Sequence, residues 1–235
     1  MKIAIVGSAP SSAGLAPYDD PSWKIWACSP GAIPHARRFD AWFELHYYTP
    51  ENLKYCGMDE NYLAWLRKSP APVYMMDVFR DIPQSTKYPK EEVYKRFGEY
   101  FYSSSIAWML AFAIMACPEE IGLYGVDMAS RDEYGYQRAG CHHFITLARM
   151  NGIKVTAPVQ SDILRPEPEY GLKAFSPITA KMVARKSELQ ARLHAAQVKQ
   201  DEAQRESLFP QGALDDLDYF QSIWSDQDHR CIVIS

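Results

Sequence analysis

Short apolar runs recur along the first two thirds of the chain, and polar segments separate them. The first run, Lys2-Ile3-Ala4-Ile5-Val6-Gly7, is rich in β-branched residues and does not alternate between polar and apolar positions. That pattern is typical of a strand buried on both faces. Runs of the same kind lie at residues 24–28, 41–45, 73–76, 121–126 and 153–156. We therefore predict six short, largely buried strands.

Helical patterns fall between several of these strands. Residues 61–68 form one candidate, and residues 144–150 form another that ends at Asn151-Gly152, a good left-handed stop. The clearest is residues 103–117, where three serines can cap a nearly all-apolar helix. Alternating strands and helices indicate an α/β fold, a Rossmann-like and mostly parallel sheet flanked by helices. We assign this domain to residues 1–164.

The composition changes after residue 164. Residues 165–175 begin with alternating Pro and Glu and are predicted to be a linker, and Ser176-Pro177 is typical of a helix start. Apolar positions then recur every seven residues, at Met182, Leu189, Ala196 and Ala203. Pro210-Gln211-Gly212 predicts a break before a second amphipathic helix. We expect residues 176–235 to form a helical hairpin, which either packs on its own domain or joins subunits of a homo-oligomer.

Composition and charge fit a folded protein of the cytoplasm. The hydrophobic fraction is 47%, and the net charge of -4 argues against a general nucleic-acid coat. Five cysteines without a C-x-x-C pair indicate free thiols rather than disulfides or a zinc site. We expect no signal peptide and no membrane partner, because the most apolar stretch, residues 106–117, is too short to span a bilayer.

Small or polar residues follow four of the predicted strands. They are Gly7 to Ser12, Cys28-Ser29-Pro30-Gly31, His46-Tyr47-Tyr48 and the run after Asp127. Ligands of an open parallel sheet bind beyond the carboxyl ends of its strands, so we expect these loops to form one site. The first loop matches neither G-x-G-x-x-G nor the P-loop pattern. Two interpretations of this loop therefore remain open. It is either a phosphate-binding loop that uses Gly7 and Ser8, or a plain turn.

Three serines, Ser103, Ser104 and Ser105, begin the predicted apolar helix. Unpaired N–H groups and the helix dipole favour an anion at such a position. One serine is needed as a cap, and we expect another to contact a ligand. Asp127 could hold a metal, accept a hydrogen bond from a ribose hydroxyl or cap a loop. Because no second carboxylate at metal-binding spacing adjoins it, we predict no metal site.

His142 and His143 are the candidate general bases, since a histidine can accept a proton near neutral pH. They lie at the predicted start of a helix, where adjacent side chains point roughly 100° apart, so at most one faces the site. We favour His142, which adjoins the polar run, and a structural role stays open for both. Residues just upstream can bind phosphate or sugar hydroxyls: Tyr134, Tyr136, Gln137 and Arg138.

Several stretches resemble known families. "IVGSAPSS" resembles the G-N-G-P-S loop of the glycosyltransferase family 42 sialyltransferases, and "SSSIAWMLAFAIMACPEEIGLYGVDM" resembles their T-S-G segment, apolar helix and strand ending in G-I-D. The 6-hydroxymethylpterin pyrophosphokinase-like family, a domain of unknown function in many proteins, shares this layout. The run "YGYQRAGCHHFITLARMNGIKV" and the helical tail resemble tailed-phage proteins with the same core. The resemblance covers about residues 1–160.

The resemblance implies a nucleotide-sugar site. It places Ser8, Pro10 and Ser11 of the first loop, and Ser104 and Ser105, at the donor. It also implies that Tyr134 and Tyr136 contact the donor phosphate and that a histidine in the region of His142 and His143 is the general base. Ser8 stands where that family has Asn, and Cys28-Ser29 stands where another Asn is expected. A cytidine donor and sialic acid are therefore not carried over.

We expect a metal-independent glycosyltransferase that moves a sugar from a nucleotide-sugar to an acceptor hydroxyl and needs no cofactor. In a phage context the acceptor could be a hydroxymethylated base in DNA. One alternative is a Mg²⁺-dependent, pyrophosphokinase-like phosphotransferase that uses acids such as Asp127 and Asp132. The other is a non-catalytic protein that binds a nucleotide or assembles a virion through the C-terminal helices.

Overall fold

A computed structural model describes residues 1–49, 58–128, 132–166 and 177–225 of the 235 residues. Within helices it gives no side-chain environment for residues 132–135, 177–184, 224 and 225. The chain divides into two compact units, Met1–Glu167 and Pro168–Ser235. Most of the predicted linker, residues 167–175, lies outside the described residues.

The first unit is built on a seven-stranded parallel sheet. Its strands are β1 Lys2–Val6, β2 Trp23–Cys28, β3 Ala41–Glu44, β4 Val73–Met75, β5 Ser85–Lys87, β6 Glu120–Tyr124 and β7 Lys154–Thr156. They lie in the order β5-β4-β3-β2-β1-β6-β7, and all pairs are parallel. The predicted Rossmann-like α/β fold is confirmed. β5 was not predicted, because it is a short, polar edge strand without an apolar run.

Among the described residues of the first unit, four α-helices flank the sheet: α1 Glu60–Arg67, α2 Lys90–Phe97, α3 Ser105–Met115 and α4 Asp132–Met150. Asp59 caps α1 by accepting a hydrogen bond from the Tyr62 N–H at 2.8 Å. Ser104 caps α3 in the same way, accepting from the Ala107 N–H at 3.2 Å. Each cap satisfies one of the N–H groups that a helix start leaves without an internal partner.

Helix α4 begins at Asp132, well before the predicted start at residue 144. His142 and His143 therefore lie inside a helix, and the prediction that they sit at a helix start is wrong. The buried side of α4 includes Arg138, Cys141 and Phe144, at helical spacing. Because an arginine occupies one of these buried positions, the apolar periodicity of the helix is hidden in the sequence.

Both faces of the sheet are buried. Ile3, Ile5 and Phe43 belong to a core shared with α2, α3 and α4. Ala4 and Trp42 belong to the core on the opposite face, which includes α1 and the short 3-10 helix Ala13–Leu15. Neighbouring residues of a strand point to opposite faces, so a sheet covered on both sides needs apolar residues at consecutive positions.

In the second unit the described residues form one helix, α5 Pro177–Ser225, of 49 residues. The sequence analysis predicted a hairpin broken at Pro210, whereas the structure has Pro210 inside a continuous helix. A proline within a helix removes one backbone hydrogen bond and costs about 3 kcal/mol, which long flanking runs of good helix formers can offset. None of the helices in the described ranges combines the length and apolar character of a membrane span.

Candidate functional site

A cavity of about 750 Å³ lies at the carboxyl ends of β1, β2, β3 and β6. Its lining includes residues 7–10, 28–29, 43–46 and 125–128, which come from the four loops that the sequence analysis expected to meet. Residues 102–106, at the start of α3, complete the wall. The volume falls within the range of about 300–1,000 Å³ that small-molecule sites occupy.

The floor of the cavity is a close contact between two glycines. A Cβ atom on Gly7 would lie 2.6 Å from the Gly125 carbonyl oxygen, and one on Gly125 would lie 2.5 Å from the Gly7 carbonyl oxygen. Gly125 also has a φ of +64°, which favours glycine. The Ser12 hydroxyl accepts a hydrogen bond from the Gly125 N–H at 2.9 Å and ties the two loops together. The floor therefore consists of backbone.

The start of α3 presents three serines with different roles. Ser104 is the N-cap, as expected for one of the three, and its Oγ lies 3.5 Å from the Cys141 Sγ. The Ser103 hydroxyl donates to the Gln137 carbonyl oxygen at 3.3 Å. Ser105 lines the cavity and is half-buried. The N–H groups of Ser105 and Ile106 precede the first hydrogen bond within the helix, so they suit an anion.

Asp127 follows β6 and lines the cavity. Its Oδ2 accepts a hydrogen bond from the Ser11 hydroxyl at 2.6 Å, while Oδ1 is buried and has no hydrogen-bond partner among the described residues. Ser11 thus orients a carboxylate whose second oxygen can accept from a ligand. Across the described ranges, no group of three or more His, Cys, Asp or Glu side chains could hold a metal ion.

A buried carboxylate and a histidine lie together at the end of β3. Glu44 has 2% of its side chain exposed, and its Oε1 lies 2.5 Å from the His46 Nδ1. Its Oε2 accepts a hydrogen bond from the Tyr62 hydroxyl at 2.8 Å, and that hydroxyl accepts from the Trp42 Nε1 at 2.8 Å. Burial first, then the nearby Glu44, raise the pKa of Tyr62 well above its usual value. Tyr62 therefore stays protonated and donates a hydrogen bond to the Glu44 carboxylate.

Two buried cysteines and a tyrosine near the cavity stay protonated. Burial, with a smaller effect of Glu44, raises the pKa of Cys28 to about 12. Burial also raises the pKa of Cys141 to about 12, although Ser104 and Arg138 act in the opposite direction. The pKa of Tyr102 rises to about 12 through burial and the neighbouring Tyr94. None of these groups supplies a thiolate or phenolate nucleophile near neutral pH.

The cavity brings together part of the predicted site. The predicted residues that line it are Gly7, Ser8, Pro10, Ser29, Ser104, Ser105, Asp127 and Gln137. Ser11 acts on the cavity through its bond to Asp127. Tyr136 is 73% exposed and is not among the lining residues, and the side chain of Tyr134 lies outside the described part of the chain.

The remaining predicted residues of α4 make structural contacts. Arg138 is buried, and its Nη2 donates to the carbonyl oxygens of Asp162 at 2.9 Å and Arg165 at 3.3 Å. The His142 Nε2 lies 2.7 Å from the Ile163 carbonyl oxygen. The His143 ring stacks on Phe101 with ring centres 4.2 Å apart, and burial lowers its pKa. Neither histidine is among the described lining residues.

The sequence analysis placed His46 in one of the loops expected to form the site but gave it no role, and it did not single out Glu44. The available signal was an acid inside an apolar strand, Ala41-Trp42-Phe43-Glu44-Leu45, two residues before a histidine. A second feature emerges only from the structure: Ser29 and Met128, which line the cavity, have φ values of +74° and +47°. Such conformations are uncommon for residues other than glycine and often occur at functional sites.

Solved structures with a similar fold include a pyrophosphokinase and a sialyltransferase. A thiamine pyrophosphokinase from Bacillus subtilis matches with a TM-score of 0.39 and 13% identity. That match covers 67% of this chain and only 60% of the pyrophosphokinase. The sialyltransferase CstII from Campylobacter jejuni, in complex with the substrate analogue cytidine-5'-monophosphate, matches with a TM-score of 0.41 and 14% identity. That match covers 77% of this chain and 98% of the sialyltransferase. No protein-family model matches the chain, and no curated protein matches its sequence.

Proposed function

We propose that the chain is a glycosyltransferase that binds a nucleotide-sugar in this cavity and transfers the sugar to a hydroxyl group without a metal ion. One observation carries the proposal: the serine-rich start of α3 and the Glu44–His46 pair line the same cavity. A helix start can hold the donor phosphate and stabilise the charge that develops on it as it leaves. A histidine beside a carboxylate can remove a proton from the acceptor.

Different parts of the cavity lining would contact different parts of the nucleotide-sugar. The N–H groups at the start of α3 and the Ser105 hydroxyl would meet the phosphates. The unpaired Oδ1 of Asp127 would accept from a hydroxyl of the ribose or of the sugar. Gly7, Ser8, Pro10, Ser29 and Gln137 would line the remaining surface of the donor. The close approach of Gly7 and Gly125 leaves the floor open to a flat ring or a sugar.

A thermal-shift screen of nucleotides and nucleotide-sugars, in Mg²⁺ or in a chelator, tests this proposal. We expect a nucleotide-sugar to stabilise the protein equally in both. A ligand at 100 times its dissociation constant stabilises by about 2.7 kcal/mol, which corresponds to a melting temperature rise of roughly 5–10 °C. Stabilisation that requires Mg²⁺ would indicate the phosphotransferase alternative. Binding without transfer or donor hydrolysis would indicate a non-catalytic nucleotide-binding protein.

The substitution Ser104→Asp tests the place of the phosphate. Aspartate is a good N-cap, so the fold should persist, but its charge would occupy the anion position and abolish the nucleotide response. Ser104→Asn is the matched control, because it keeps the cap and adds no charge. An unchanged response of the Asp variant would contradict the placement. Acceptors to be tried with the bound donor include free sugars and DNA that carries hydroxymethylated bases.

We also propose that α5 joins copies of the chain. Its described side chains from residue 185 to residue 223 are exposed, and they include Leu189, Leu193, Phe209, Leu217 and Phe220. A helix that exposes this much apolar surface needs a partner. Deletion of residues 172–235 should lower the number of copies per particle, obtained by dividing the molar mass from light scattering by the mass of the shortened chain. An unchanged number of copies would contradict the proposal.

A further inference from the structure

Glu44 is a carboxylate in the middle of an apolar environment. It ends a strand whose other three residues are buried and apolar, and both of its oxygens accept hydrogen bonds. Burying a charged group is costly unless it is well paired, and an apolar residue of similar size is often as stable in its place. The stability of β3 therefore does not explain why a carboxylate occupies this position. The contact of Glu44 with His46, a histidine of the cavity, does explain it.

The hydrogen bonds around Glu44 indicate which of the neighbouring atoms carry a proton. The Trp42 Nε1 can only donate, so the Tyr62 hydroxyl accepts from it and donates its own proton to the Glu44 Oε2. The Glu44 Oε1 accepts from the His46 backbone N–H at 3.2 Å, and because an ionised carboxylate can only accept, we infer that the His46 Nδ1–H also donates to Oε1. A neutral imidazole that is protonated on Nδ1 carries its lone pair on Nε2. The cavity is thus lined by a histidine whose Nε2 is the basic atom.

We propose that His46, oriented by Glu44, is the general base of the transfer reaction. This inference rests on the proposed function. The acceptor hydroxyl gives its proton to the His46 Nε2 while its oxygen forms a bond to the anomeric carbon of the sugar. The bond between that carbon and the phosphate oxygen breaks, and the nucleotide leaves with the electron pair at the start of α3. The imidazolium that forms lies next to the Glu44 carboxylate, which stabilises its charge.

His142 and His143 are less suited to this step. The His142 Nε2 is already engaged with the Ile163 carbonyl oxygen, which accepts a hydrogen bond but cannot compensate a positive charge as a carboxylate does. His143 stacks on Phe101, an apolar neighbour. Neither contacts a carboxylate in the described part of the structure, and His46 contacts one at 2.5 Å.

The first measurement is ¹⁵N NMR of the full chain labelled at histidine, in which the nitrogen shifts of a neutral ring distinguish its two tautomers. We expect His46 in the form protonated on Nδ1, with its signals assigned by their loss in His46→Gln. A His46 ring protonated on Nε2 would overturn the proposal. This experiment needs no substrate, so it tests the base assignment independently of nucleotide binding.

The second measurement is the rate of transfer or hydrolysis of the nucleotide-sugar found in the thermal-shift screen. We expect His46→Gln to lower kcat by about 10²–10⁴-fold with little change in donor affinity, and Glu44→Gln to lower kcat and alter the pH–rate profile. His142→Gln is the control and should stay near the wild-type rate. Turnover that survives His46→Gln would overturn the base assignment and leave the glycosyltransferase intact. Absence of turnover with every donor would overturn both.

Discussion

Two histidine-bearing regions lie close to the same cavity, and their surroundings differ. At the end of β3, His46 lies beside the buried Glu44 carboxylate and lines the cavity. In the interior of α4, His142 contacts a backbone carbonyl and His143 packs on an aromatic ring. The sequence makes the α4 pair more conspicuous, because two adjacent histidines follow a polar run. The two regions therefore differ in the contacts of their histidines, which the neighbouring residues in the sequence do not reveal.

The α4 region supports the cavity wall without lining much of it. Arg138 and His142 bind the carbonyl groups of residues 162–165, and Gly140 lets the helix approach the segment that precedes α3. Under the proposed function, α4 supports the cavity wall and the end of β3 supplies the general base. The following four predictions test that division, from the largest expected effect to the smallest.

Gly140→Ala should disrupt the wall of the cavity. A Cβ on Gly140 would lie 2.2 Å from both the Phe101 carbonyl oxygen and the Ser103 Oγ, so the segment before α3 would have to move. We expect the free energy of unfolding in urea to fall by about 3 kcal/mol, the upper end of what overpacking usually costs, and the nucleotide response to be lost. Gly14→Ala is the control, since a Cβ there meets nothing within 4 Å. A Gly140→Ala protein as stable as wild type would refute the supporting role.

Tyr62→Phe should be more damaging than Tyr88→Phe. The Tyr62 hydroxyl donates to a buried carboxylate and accepts from an indole N–H, whereas the Tyr88 hydroxyl donates to the Trp108 carbonyl oxygen at 2.8 Å. Hydrogen bonds to charged groups contribute roughly 1.5–3 kcal/mol and neutral ones about 1 kcal/mol. Urea unfolding of the two variants measures the difference. Equal losses would mean that Glu44 is not held as a charged acceptor.

His142→Ala should lower stability and spare ligand binding. The substitution leaves the Ile163 carbonyl oxygen without its ring partner, which costs about 1–3 kcal/mol for a buried acceptor. The melting temperature should fall, while the additional rise caused by a nucleotide-sugar should stay the same. His142→Gln, which keeps a donor in the side chain, should recover part of the loss. If the variant kept its stability but lost turnover, the general base would be His142 on α4 and not His46.

His143→Phe should have the smallest effect, and only in acid. Burial lowers the pKa of His143 below its ordinary value of 6.5, so the unfolded chain binds a proton more readily than the folded one. The neutral ring's contribution to stability is complete above pH 6.5 and is lost as the pH falls through the lowered value. Phe keeps the stacking on Phe101 without titrating. The urea midpoints of variant and wild type should therefore differ more at pH 5 than at pH 7.5.

The sheet was largely predictable from sequence, because six of its strands are apolar runs that a doubly covered sheet requires. β5 and α2 were missed, since Ser85–Lys87 and Lys90–Phe97 are mostly polar and lie at an edge of the unit. The long α5 was missed because Pro210 and Gly212 are usually helix breakers.

For the site, the rule that ligands bind beyond the carboxyl ends of parallel strands predicted which loops meet at the cavity. It did not predict which side chains face inward. Ser104 caps a helix, Ser105 lines the cavity without capping, and Arg138 is buried, although all three are polar residues in the sequence. Glu44 was overlooked because a lone acid in an apolar strand gives no sign of its partners, and Tyr62 comes from a distant helix.

The contact between Gly7 and Gly125 restricts how ligand preference in this cavity can change. Either glycine, given a side chain, would collide with the other's carbonyl oxygen, so no single substitution can add a functional group to the floor. Gly31 has the same limit, because its Cβ would lie 2.7 Å from that of Ser8. Natural variation and laboratory selection for another donor should both act on Ser29, Ser105, Asp127 and Gln137, while the peptide groups beneath stay as they are.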